Sequence, residues 1–151
     1  MEIRVIEEEG RREIEVTVAS APGDPRVPRL VDRIRAAAGR LVGYPDGASV
    51  ERRVVPLADV THIDTVDGCA HIHTLDGEVL ESPLRLFELE SALDGTEFVR
   101  TSRQELVNFD HVTAIRPDLN GRLDLKLSDG EWAVVTRSYA RDIKEKIGIV
   151  L

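Results

Sequence analysis

The sequence predicts a mainly β fold with short helices, preceded by a small β-β-α segment. Three observations lead there. Beyond residue 50, short apolar runs are divided by the pairs Asp67-Gly68, Asp76-Gly77, Asn120-Gly121 and Asp129-Gly130. Type I′ hairpins want such pairs, because both residues tolerate positive φ. Two intervals, 67 to 76 and 120 to 129, are nine residues long, which suits hairpin strands of about five to six residues. Aromatic residues are only 4% of the 151, so the core must be built from Val, Ile and Leu.

The elements follow in order. Residues 2–19 carry two strand-like stretches; in the second, Ile14, Val16 and Val18 alternate with Glu13, Glu15 and Thr17, the period of a half-buried strand. A Pro/Gly-rich link runs from Ala21 to Pro28. A helical period comes next, with Val27, Leu30, Val31, Ile34, Ala38 and Leu41 on one face and Arg29, Arg33 and Arg40 mainly off it. Gly43 and Pro45 end it. This leading piece, residues 1–43, is too small to fold well alone. It should pack on the remainder, residues 44–151, or on another subunit, and its expected role is oligomerisation or regulatory docking. Two more helices are short. The first begins at Ser82-Pro83 and turns Leu86, Leu89 and Leu93 inward. The second begins near Ser138 and carries Tyr139, Ile143 and Ile147.

Composition narrows the function classes. No apolar run approaches the ~20 residues of a membrane span. The acidic N-terminus lacks the apolar stretch of a signal peptide, so the expected location is the cytoplasm. The single Cys69 cannot form an internal disulfide, which fits a reducing compartment. The chain holds 20 basic and 28 acidic residues, a net charge of −8. That balance opposes nonspecific nucleic-acid binding, but screening over about 10 Å leaves room for a local basic face.

Motifs for chemistry are sparse. His62 and Asp64 share a strand face, as do His71 and His73, which would suit a metal if the strands were adjacent. The reading is set aside because spacing fixes no third and fourth ligand. No GxSxG, phosphate loop or dinucleotide glycine pattern occurs, so no catalysis and no cofactor are expected. Cys69 follows a turn and is a nucleophile only on paper. The basic clusters are more informative. Arg100 and Arg103 lie in FVRTSRQELVN, and Arg137 and Arg141 in VVTRSYARDIKEK. Both begin where an apolar strand gives way to polar residues, and such loops can bond phosphates and reach base edges.

Three stretches in order resemble the LytTR family of bacterial transcription regulators. They are ADVTHIDTVDGCAHIHTLDGEVLESPLRLFELESAL, FVRTSRQELVNFDHVTAI and LDLKLSDGEWAVVTRSYARDI, which together cover roughly residues 45–147. The resemblance implies a β-β-β sandwich of about ten short strands in three antiparallel sheets. It implies binding of double-stranded DNA by loops that enter successive major grooves, commonly by homodimers on direct repeats. It implies the stand-alone arrangement, with a small leading segment in place of a phosphoacceptor domain and often a membrane-bound regulatory partner. Carried over by position, the contact residues are Cys69 and His71 of the first loop, Thr101, Ser102, Arg103 and Gln104 of the second, and Arg137, Ser138 and Arg141 of the third. Arg103 and Arg137 lead, since a guanidinium fork takes guanine O6 and N7 together or clamps a phosphate. The sequence departs from the family at Ser102, where His is frequent, at Gln104, where Ser is usual, and at Glu105, where an apolar or aromatic residue is usual. The acidic balance and Glu105 motivate an alternative, a protein-interaction module on the same framework with DNA binding weakened or lost.

Overall fold

The computed structural model describes residues 1–148; the last three residues of the expected 44–151 region lie outside that range. Ten strands and three helices run in the order α1 (Arg26–Ala37), β1 (Arg40–Gly43), β2 (Arg53–Pro56), β3 (Val60–Val66), β4 (Cys69–Thr74), β5 (Val79–Glu81), α2 (Leu86–Ala92), β6 (Phe98–Ser102), β7 (Glu105–Asn108), β8 (Val112–Pro117), β9 (Leu123–Leu127), β10 (Trp132–Val135) and α3 (Arg137–Ile147). The sheets are β1-β2, β5-β4-β3-β7-β6 and β10-β9-β8, and every pairing is antiparallel. The mainly β architecture in three sheets is the one the sequence predicts.

The five-stranded sheet is the middle layer. On one side Ile63, Ala70, Ile72, Leu80 and Leu106 meet Leu86, Leu89 and Leu93 of the α2 region. On the other side Val107 and Val99 meet Leu123, Leu125 and Val135 of the three-stranded sheet and Ala140 and Ile143 of α3. Strand alternation sends successive residues to opposite faces, so Leu106 and Val107 enter different cores. The two-stranded sheet joins the edge strand β5 through Tyr44 and Glu81, whose backbones exchange two hydrogen bonds of 2.8 Å. Gly43 lies so close to β5 that a Cβ would come 2.6 Å from Leu80 Cβ. It is a close-approach glycine, and the helix it was expected to end stops earlier, at Ala37.

Three of the four turns differ from the type I′ expectation. Only Asp67, at φ +52° beside Gly68 at +79°, has the left-handed pair. At Asp76-Gly77, Asn120-Gly121 and Asp129-Gly130 the glycine alone has positive φ. There Gly77 N bonds Thr74 O and Thr74 N bonds Glu78 O, and the other two turns repeat the scheme. This is the three-residue loop with a left-handed glycine. Asp76 and Asp129 keep ordinary φ and accept from the backbone N–H of Glu78 and Glu131.

Elsewhere the N-terminal half departs from expectation. Residues 2–19 form no strand. Ile3, Val5, Ile14 and Val16 are exposed, because no neighbouring strand takes up their backbone groups. Helix α1 forms, but it packs by its polar side. Asp32 and Ala36 are buried, Arg29 pairs with Glu88 of α2, and Arg33 donates to Ser91 Oγ at 3.3 Å. Val27, Leu30, Val31 and Ile34 are only half-buried. Helix α2 starts at Leu86 rather than at Pro83, because Ser82 Oγ is engaged with Leu84 N in a preceding turn. Leu86, Leu89 and Leu93 are buried as expected.

Asn108 fastens the layers. Its side chain is 2% exposed. Its amide nitrogen donates to Leu57 O at 3.1 Å and Val60 O at 2.9 Å, and its oxygen accepts from Asp110 N at 3.1 Å. Asn108→Ala strands two buried carbonyls and one N–H, so chemical denaturation should show a loss of about 2–4 kcal/mol.

Candidate nucleic-acid interface

Three connections far apart in sequence meet at one edge of the middle sheet. The first is the β3–β4 turn at Asp67-Gly68, the second the β6–β7 turn at Arg103-Gln104, and the third the β10–α3 junction at Thr136. Strand pairing forces the first two together. Asp64 lies opposite Glu105, and Thr65 N donates to Gln104 O at 2.9 Å. The third is fixed by Thr136 N, which donates to Thr101 O at 2.9 Å.

The residues singled out in the sequence distribute unevenly over this edge. Arg103 and Gln104 are exposed at the tip of the second turn. Ser102 is half-buried, and its Oγ accepts from Gln104 N at 3.2 Å. Arg137 and Ser138 are exposed in the first turn of α3, and Arg141 one turn on. The stem of Arg137 lies beside the β8–β9 turn, where a Cβ on Gly121 would come 3.3 Å from its Cγ. Arg141 Nε reaches Glu145 at 3.4 Å in full exposure, a pair of little energetic consequence. Among the described residues, no carboxylate pairs with Arg103 or Arg137.

Thr101 requires a correction. It is 0% exposed, and its hydroxyl donates to Glu105 Oε1 at 3.0 Å. Its side chain is therefore inside the fold. The cause is alternation: Thr101 lies two residues after Val99 on the face that enters the second core, and a bulge follows it, where Arg100 pairs with Leu106 and Ser102 with Glu105.

Sequence reasoning grouped Arg100 with the basic residues and missed its role. Arg100 turns its guanidinium onto the turn itself. Nε donates to Ser102 O at 2.7 Å, Nη2 to Arg103 O, and Nη1 to Glu90 Oε2 at 2.7 Å. One side chain thereby holds the two carbonyls that aim Arg103. No linear spacing signals this, because it depends on the bulge.

Behind the edge lies a polar patch on the same face of the middle sheet. His73 Nε2 and Asp64 Oδ1 are 2.8 Å apart, and the rings of His62 and His73 stack at 4.0 Å, 11° from parallel. Donor atoms of His62, Asp64 and His73 lie within 4.8 Å of one another. The structure thus gathers three of the four residues weighed for a metal. Stacked rings aim their lone pairs along parallel directions rather than at one point, which suits hydrogen bonding better than shared coordination. His71 stands opposite Asp64 in register, yet its buried Nδ1 has no partner among the described residues. Cys69 is exposed, and a hydrogen bond and charge from Glu81 push its thiol above the ordinary range. It stays protonated near neutral pH, contrary to what a nucleophile needs.

Comparison with known proteins gives a consistent result. Residues 51–148 match the family model described as LytTr DNA-binding domain. The sensory transduction protein LytT of Bacillus subtilis is 29% identical over 96 residues, which are 64% of this chain and 39% of LytT. The chain therefore matches about two-fifths of that relative's length. An uncharacterised HTH-type transcriptional regulator of Staphylococcus aureus is 29% identical over 109 residues, 72% of this chain and 71% of that protein. Among solved structures, the LytTr DNA-binding domain of a putative methyl-accepting/DNA response regulator from Bacillus cereus superposes with a TM-score of 0.66 at 23% identity. That match covers 74% of this chain and 98% of the other, and it supports the fold.

Two groups of the patch titrate in opposite senses. Burial, then the charges of Asp64 and Glu131, pushes the Glu105 carboxyl above the ordinary 4.5, against the hydrogen bond from Thr101. The folded state thus holds this proton more tightly than the unfolded state. The stability so contributed is complete below 4.5 and is lost as pH rises through the folded pKa. His62 is held below the ordinary 6.5 by burial and by His73; its contribution is present above 6.5 and is lost as pH falls through its folded pKa. Glu105→Gln keeps an acceptor for Thr101 and removes the charge. Its melting temperature should exceed that of the parent at pH 7, with the gap closing as pH approaches 4.5.

Proposed function

The chain belongs to the LytTR DNA-binding domain family, and from that membership we propose that it is a sequence-specific DNA-binding regulator of transcription acting in the cytoplasm. Its loops enter successive major grooves, and two copies occupy paired direct repeats. The observation that carries the reading is the gathering of three connections on one edge, with Arg103 and Arg137 free of carboxylate partners among the described residues. Arg103 stands at the tip of a short, internally bonded turn, so its fork meets a base edge or phosphate with little further ordering. Arg137 opens α3, whose first-turn N–H groups and dipole favour an anion. Arg137, Ser138 and Arg141 then take the backbone beside the groove that Arg103 and Gln104 read. Thr101 and Arg100 position the second loop from behind, and Cys69 flanks the first. Among the described residues no helix is long and apolar enough to cross a membrane, and a membrane-bound regulatory partner is part of the proposal only through the family.

Selection of bound sequences from random duplex DNA at about 50 mM salt tests this, with Arg103→Ala in parallel. The wild-type chain should enrich a direct repeat. Arg103→Ala should bind that repeat about 1–3 kcal/mol more weakly, with relaxed preference at one position. Arg100→Ala should weaken binding while also raising hydrogen exchange in the 102–104 turn. No enrichment by the wild-type chain would favour a protein-interaction module on this framework.

A further inference from the structure

The β8–β9 turn, residues 118–122, takes no part in the interface proposed above, yet the fold delivers it there. Pro117 at the end of β8 pairs with Leu123, and Leu123 pairs with Val135 at the end of β10. The turn therefore leaves the three-stranded sheet at the end where β10 hands over to α3 through Thr136. Thr136 N is bonded to Thr101 O of β6, so this end also adjoins the β6–β7 turn. Side chains close the remaining gap. A Cβ on Gly121 would lie 3.3 Å from Cγ, 3.6 Å from Cδ and 3.7 Å from Nε of Arg137. Leu119, Asn120, Gly121 and Arg137 line one open hollow.

The turn is built to present its tip. Asp118 N donates to Arg122 O at 3.0 Å, and Gly121 N donates to Asp118 O at 3.3 Å. Asp118 is the only carboxylate between residues 117 and 122. Its Oδ1 turns back onto Leu119 N at 2.6 Å. Asn120 at the tip and Arg122 at the base are exposed. Among the described residues, no side chain bonds the Asn120 amide or the Arg122 guanidinium. The fold makes no use of these two groups, and the loop that carries them is already ordered, which lowers the cost of docking. An amide offers a donor and an acceptor side by side, the complement of adenine N7 and N6. An unpaired guanidinium is the complement of a phosphate.

We propose that the β8–β9 turn is a fourth contact with double-stranded DNA, in which Asn120 reads a base edge beside the site of Arg137 and Arg122 holds the adjoining phosphate. The inference rests on the DNA-binding reading above and adds a segment that the sequence marks only as a hairpin turn. Gly121 has a positioning part in it. With no side chain there, the stem of Arg137 lies along the turn, and Arg137 and Asn120 reach the same stretch of duplex.

Binding to the repeat that the wild-type chain enriches tests this, measured by fluorescence anisotropy across a salt series. Asn120→Ala should bind about tenfold more weakly and, in a repeated selection, lose preference at one base pair. Arg122→Ala should weaken binding to all sequences alike and lower the salt slope by about 1. Both positions are exposed, so both variants should melt with the parent. Wild-type affinity, preference and salt slope in the two variants would overturn the fourth contact and leave the DNA-binding reading standing. A wild-type chain that enriches no repeat would overturn both.

Discussion

Leu106 and Val107 are adjacent in β7, yet they sit in different hydrophobic cores. The middle sheet has to be dry on both faces, and the remaining architecture answers to that requirement. One face is covered by α2 and the turn after α1. The other is covered by the three-stranded sheet and α3. Cover on the second face ends at the β9–β10 turn, where Thr61 Oγ1 lies 3.4 Å from Asp129 Oδ2. Past that point the sheet carries His62, Asp64, His73 and Glu105. These are polar groups that bond one another or lie at the margin, because burying them unpaired is costly. The candidate interface begins where this cover ends.

Positioning at that edge comes from backbone rather than from side-chain packing. Three connections from three parts of the chain are tied by two main-chain hydrogen bonds, from Thr65 to Gln104 and from Thr136 to Thr101. The first extends the β3–β7 ladder, and the second ties the three-stranded sheet to the middle sheet, so the edge inherits the rigidity of both. The side chains that point outward, Arg103 and Gln104 among them, make no contact the framework depends on. Those that point inward, Arg100, Thr101 and Asn108, are tied to the framework. This division explains how Gln104 and Ser102 can depart from the family pattern while the fold persists.

How much of this was legible in the sequence depends on whether a signal was local. The Asp-Gly and Asn-Gly pairs located the β3–β4, β4–β5, β8–β9 and β9–β10 hairpins but not β6–β7, whose turn has no glycine, because glycine is required at the left-handed position of either turn class. Which class each turn adopts was not legible, because Asp76 and Asp129 use their carboxylates on backbone N–H groups instead of adopting positive φ. The leucines of α2 were legible by period, but its start was not, since Ser82 serves equally as a helix cap or as a turn residue. Thr101 was not legible as buried because its face is covered by a distant part of the chain, the three-stranded sheet and α3, and Arg100 was not legible because its partners are the carbonyls of the following turn. The strand pattern of residues 2–19 is real as a pattern. In the described fold the segment nevertheless forms no strand, because alternation alone does not supply a partner for its backbone groups.

A net charge of −8 opposes nonspecific attraction to DNA, and the placement of the charges bears on the proposed role. Part of the acidic charge lies on the N-terminal arm, which holds six of the 28 acidic residues, and part is paired with arginines within the fold: Glu88 with Arg29, Glu78 with Arg53, Glu90 with Arg100 and Asp124 with Arg116. Glu105 is the acidic residue nearest the tip of the second turn in sequence. It is half-buried and bonded by the Thr101 hydroxyl, so it points into the fold rather than out at the edge. Outward there are Arg103, Arg137 and Arg141, together with the exposed Asp67 of the first turn and Asp142 beside Arg141. Screening over about 10 Å isolates that edge from acidic groups lying farther away. Net charge then acts on nonspecific attraction, which it weakens, while the local field acts on the docked complex. On the reading proposed above, affinity for a specific site comes from shape and base contact at the three turns rather than from net charge.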